Sequence, residues 1–244
     1  MIDPYVILTP VLLLAVVALL QFVGCNWVFG LDETTLFTPL DFVQLRDGLT
    51  DLTDNQVATA AFGVVTQRHL MVVWVWYNSL AVSVAAVTDT AGNAYQLAVG
   101  PTNGAGTLAG FRTEIWYGTM TNGGTNFTVT ATFTGPVGGT GAIAAHEYSG
   151  TDQAQAAPLV ATSALTGTSA IASSGVVTAS GARLIFGAAL FRTTGSVPLG
   201  FFLRDDLQGN LTEDKPGTIF LTMLEAIFEN PNQEDWVVQM AAFN

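Results

Sequence analysis

The sequence predicts a mainly β chain: an antiparallel β-sandwich of immunoglobulin or jelly-roll type, preceded by one N-terminal hydrophobic α-helix. Three observations lead there. Short apolar stretches of strand character recur throughout residues 57–244, separated by Gly-rich turns. No stretch of that region carries a helical period over ten residues or more, and no βα alternation is present. Ahead of it, residues 4–31 contain no charged side chain at all.

That uncharged run is the first element. As a helix its 28 residues would reach about 42 Å, enough to cross a bilayer. It is apolar all round rather than on one face, which argues against an ordinary amphipathic helix of the same domain. Three readings fit: a signal to be removed, a membrane anchor, or a helix buried against copies of itself in an assembly. The side chains that would carry anchoring or assembly are Val11, Leu12, Leu13, Leu14, Val16, Val17, Leu19, Leu20, Phe22 and Val23. Cys25 is the single cysteine. It follows "FVG" as an acylated cysteine follows its small residue in a lipoprotein signal, so lipidation is one reading of it. The flank opens "MIDP" without the basic residues of a secretory leader.

The second element, residues 31–56, is dense in acids (Asp32, Glu33, Asp41, Asp47, Asp51, Asp54) with irregularly spaced leucines between them. It reads as a connector containing short structured pieces. From Val57 onward the reading is β. "HLMVVWVWY" (69–77) is apolar at both parities, as a strand covered on both faces should be. "NFTVTATF" (126–133) alternates, with Phe127, Val129, Ala131 and Phe133 inward and Thr128, Thr130 and Thr132 outward. "GAIAAHEYSG", "ARLIFGAALF", "GTIFLTMLEAIF" and "DWVVQMAAF" complete a count of nine or ten strands, assigned to one large domain. The boundaries are thus 1–30, 31–56 and 57–244.

Composition excludes several functions. The net charge is −12 with one lysine, Lys215. Phosphate backbones are held by Lys and Arg, so nucleic acid is not an expected partner. A lone cysteine leaves no internal disulfide, and stability must come from packing or assembly. No Gly-x-Ser-x-Gly elbow, phosphate loop or His-Glu-x-x-His metal motif occurs. His69 and His146 sit at strand positions, and His146 and Glu147 must face opposite sides of their strand, so they form no dyad. Glu147 and Glu225 are a conceivable carboxylate pair. Asp89 and Asn93, and Asp205, Asp206 and Asn210, put oxygen atoms on turns, where turn closure outweighs calcium binding as the explanation. "VWVWY" and "EIWYG" could stack sugars, but a large core would take most of those rings. No cofactor or metal is expected, and no catalytic residue is assigned.

"VTDTAGNAYQLAVGP", "EIWYGTM", "GGTNFTVTATF", "HEYSGTD", "ARLIFGAALF" and "WVVQMAAF" occur in one order. Together they resemble a β-sandwich module of bacterial surface and secreted proteins, across roughly residues 57–244. That resemblance implies extracellular architecture or adhesion and carries no catalytic residues. The overall plan, an apolar helix followed by a sandwich, is similar to pilin-type filament subunits, although the basic leader of such precursors is missing. The expectation is therefore a structural subunit of a cell-surface or extracellular filament-like assembly. Its main partner would be itself, with a membrane as a further partner. The alternative is an anchored module that binds polysaccharide.

Overall fold

The computed structural model describes residues 40–51, 55–150, 158–217 and 222–244. The hydrophobic N-terminal helix and Cys25 lie outside the described residues. What is described is mainly β, built from antiparallel sheets, and belongs to one unit, Thr38–Asn244.

The strands run in two consecutive sets. The first comprises β1 (Asp41–Asp51), β2 (Gln56–Ala58), β3 (Phe62–Val65), β4 (Leu70–Tyr77), β5 (Val84–Asp89), β6 (Gln96–Asn103), β7 (Arg112–Thr119), β8 (Gly124–Phe127), β9 (Val129–Phe133) and β10 (Thr140–Ser149). The second comprises β11 (Leu159–Gly167), β12 (Ile171–Ser173), β13 (Val177–Ala179), β14 (Leu184–Phe191), β15 (Phe202–Leu207), β16 (Asn210–Pro216), β17 (Thr222–Leu224), β18 (Ile227–Glu229) and β19 (Trp236–Phe243). The connector reading of 31–56 therefore differs from the fold: 41–51 form a full edge strand, paired with β10. The strand count among the described residues also exceeds nine or ten, because seven of the strands are only three or four residues long.

Each set makes one five-stranded sheet and a thin outer layer. The large sheets are ordered β1-β10-β4-β7-β6 and β11-β19-β14-β16-β15. The outer layers are β2-β9-β5 with β3-β8, and β12-β18 with β13-β17. An isolated bridge between Ser196 and Glu229 stands in the second half where β5 pairs β9 in the first. The two halves therefore share one topology. The ladders align them residue by residue: the row Ile143–Val75–Glu114 in the first sheet corresponds to Met240–Gly187–Glu213 in the second. Thr113-Glu114 and Thr212-Glu213 thus occupy equivalent places, as do Ala144-Ala145 and Ala241-Ala242.

Three apolar clusters fill four layers. One lies between the two large sheets and takes Val72, Trp74, Trp76, Ala144, Leu184, Phe186, Ala188 and Val237. The second joins the first large sheet to its outer layer through Val73, Val75, Tyr77, Phe127 and Phe133. The third does the same for the second half, with Ile185, Ala189, Phe228 and Met240. Both faces of both large sheets are therefore covered. This is why β4, β14 and β19 are buried at every position and why their sequences show no polar alternation. Bulk is shared unequally across the middle layer: Trp74 and Trp76 in the first half stand where the second has Phe186 and Ala188.

Candidate functional site: the seam between the halves

The middle layer is not purely apolar. Pairs of polar side chains reach across it, each donated by one half and received by the other. His146 on β10 hydrogen-bonds Thr212 Oγ1 on β16 through Nε2 at 2.8 Å. Tyr148, also on β10, donates to Asp214 Oδ2 at 2.9 Å. In the opposite sense Gln239 on β19 donates to Thr102 Oγ1 at 2.7 Å and to the Thr113 carbonyl at 2.9 Å. At the rim, Asp235 accepts from the Thr107 amide and hydroxyl at 2.7 and 2.6 Å, which lowers its carboxyl below the usual range. Threonines of the equivalent Thr-Glu pairs thus serve the same purpose from both sides. Burying a polar group costs free energy unless it finds a partner, so these pairs specify one docking of the halves.

One end of the seam is held by Arg204 of β15. Its Nε and Nη2 bind Asp214 at 2.6 and 2.8 Å. Its guanidinium lies 4.2 Å from the ring centroid of Phe42 on β1 and 5.3 Å from that of Phe202. Phe42 in turn meets Tyr148 edge-on at 5.8 Å. A planar cation between aromatic faces, forked onto a carboxylate, is the arrangement that suits arginine and not lysine.

The residues singled out for chemistry are placed as follows. His146 and Glu147 face opposite sides. His146 packs edge-on against Phe186 at 5.0 Å, and burial pushes it down to about 3. Glu147, fully buried, accepts from the Thr66 amide at 2.8 Å and Gln44 Nε2 at 2.6 Å, and lies 2.7 Å from His69 Nδ1. That cluster ties β1, the turn before β4 and β10 together. Glu225 is not brought to Glu147; it accepts from Ser173 in the second half's outer layer.

Of the turn residues, Asp205 keeps a buried Oδ2 without a hydrogen-bond partner, whereas the others are occupied. Asp89 takes the amides of Ala91 and Asn93 on one oxygen, and Asn93 Nδ2 and the Tyr95 hydroxyl on the other. Gly92 sits at φ 77°, the left-handed conformation that this turn needs glycine for. Asp206 closes its own turn onto Gly209, and Asn210 accepts from the Phe191 amide. Among the described residues no group of three His, Cys, Asp or Glu is arranged to hold a metal. Trp74, Trp76 and Tyr77 are interior, so the "VWVWY" stretch offers no stacking platform.

Sequence reasoning missed the seam pairs. Phe42, Tyr148 and the Arg204–Asp214 pair come from separate stretches of the chain, and no motif in the sequence links them. No family model, curated protein or solved structure matches the chain.

Proposed function

We propose that this chain is a non-catalytic structural subunit of a cell-surface or extracellular assembly. Residues 11–30 would serve polymerisation or anchoring, and the β body would form the outer layer. One observation carries this reading: most of the polar groups that the sequence offered for chemistry are engaged by internal hydrogen bonds. A catalytic base or metal ligand needs a free lone pair facing a substrate. Glu147, Asp89 and Asn210 spend theirs on the fold. The strand order supports a finer description of the body as two jelly-roll-type sandwiches in tandem. Two such blocks joined by an interior seam make a rigid brick, which suits a subunit that must hold its shape.

The test is negative-stain electron microscopy of the full-length chain prepared without detergent, beside a chain starting at Leu31. Filaments or regular particles from the full-length chain alone are the expected result. Dispersed single molecules from both preparations would remove the assembly reading. The second reading, an anchored polysaccharide-binding module, draws support from a cleft at one end of the seam.

A further inference from the structure

At the Arg204 end of the seam the described residues of the two halves leave a cleft of about 330 Å³. Asp41 and Phe42 of β1 form one wall; Leu184, Phe202, Arg204 and Asp214 of the second half form the other. We infer that this cleft binds a neutral sugar ring, a proposal that rests on the polysaccharide-binding reading and gives it a location.

The chemistry of the walls selects the ligand. Phe202 is 53% exposed, an apolar ring at the cleft mouth that the fold leaves open. Arg204 has five N–H donors, and the bonds to Asp214 engage only its Nε and Nη2. Asp41 is exposed and lines the cleft. The site thus presents donors, acceptors and an aromatic face together. A hydroxyl both donates and accepts, so a polyhydroxylated ring can satisfy both kinds of group while its C–H face covers Phe202.

Charge argues against an anionic ligand. Asp214 already neutralises the guanidinium, so an anionic ligand would meet Asp41 uncompensated. Because Arg204 is held by Asp214, Phe42 and Phe202 beforehand, a ligand would not have to order it, and the entropic cost of binding is reduced. The volume lies near the lower end of the roughly 300–1,000 Å³ typical of ligand clefts, which suits one ring with the remaining chain outside.

Saturation-transfer-difference NMR on the full-length protein with cellobiose, maltose and lactose tests this, with galacturonate and glucosamine as charged comparisons. The expected result is transfer to the ring C–H protons of a neutral disaccharide. Phe202→Ala should weaken binding about tenfold, the loss expected for one covered aromatic ring, and Asp41→Ala should weaken it as well. Both side chains are exposed, so near-UV circular dichroism should stay unchanged. Binding that Phe202→Ala and Asp41→Ala leave intact would overturn the cleft while keeping the polysaccharide reading. Transfer to no neutral sugar would overturn both. A preference for galacturonate or glucosamine would overturn the ligand class.

Discussion

His146 and Glu213 are ionisable side chains placed where water does not reach, and their pH dependence has opposite signs. Burial holds His146 down at about 3, so the folded chain keeps it neutral. The unfolded chain takes up its proton near 6.5, and stability is therefore lost as pH falls from there toward 3. Gln239 shows that an amide can meet a seam threonine without titrating. His146→Gln is accordingly expected to flatten the fall in melting temperature between pH 7 and pH 4. An unchanged slope would place the acid sensitivity elsewhere. Glu213 receives only the Ile227 amide, at 3.0 Å on Oε1, and burial pushes its carboxyl up to about 9. Its contribution is full below about 4.5, where the unfolded carboxyl is still protonated, and fades as pH rises to 9. Glu213→Gln should leave the fold intact and remove the stability loss between those two pH values, measurable by denaturant unfolding at pH 5, 7 and 9. At the equivalent Glu114, Tyr77 and Trp116 both donate to the carboxylate, at 2.7 and 2.9 Å.

Among the elements, β1 depends most on a single small residue. A Cβ at Gly48 would overlap the carbonyl oxygen of Ala58, so β1 can lie against the end of β2 only if that position is glycine. Gly48→Ala should destabilise the protein by about 1–3 kcal/mol, the range for overpacking a closed contact. Equilibrium unfolding in urea checks this, and a change under 0.5 kcal/mol, ordinary for a surface substitution, would show that the strand yields. The same strand shows where sequence reading runs out. β4 and β14 were legible because double-sided burial makes a strand apolar at both parities. β9 was legible because it alternates. β1 is an edge strand, with Asp41, Asp47 and Asp51 among its residues, and the acids hid it. The short outer strands carry too few residues for any period to register. Of the candidate site, the turn at Asp89 could be read from its Asp, Gly and Asn spacing. The seam could not, since its partners meet only through pairing across the two halves.

Taken whole, the body is a stack in which the two inner sheets meet through a mixed apolar and polar layer. Backbone amides of β4, β10, β14 and β19 should exchange with solvent most slowly, because every face around them is covered. Hydrogen-exchange mass spectrometry that found these strands no slower than β11 or β15 would argue against a closed seam. The outward face of β9 offers the complementary test for assembly. Lysines at Thr128, Thr130 and Thr132 should alter particle shape in electron micrographs while leaving the melting transition in place. Unchanged particles would make that face merely solvated.

The strand order has a consequence for how the molecule is made. In each half the last strand does not add to an edge; β10 enters between β1 and β4, and β19 between β11 and β14. During synthesis, no large sheet can close until its final strand has left the ribosome. Until then β1 and β11 wait without their hydrogen-bonding neighbour. Pairing over such sequence distances is slow, and it makes each half an all-or-nothing event. A nascent chain stalled after residue 133 should therefore be wholly open to protease, whereas one stalled with Ser149 exposed should already protect its first half.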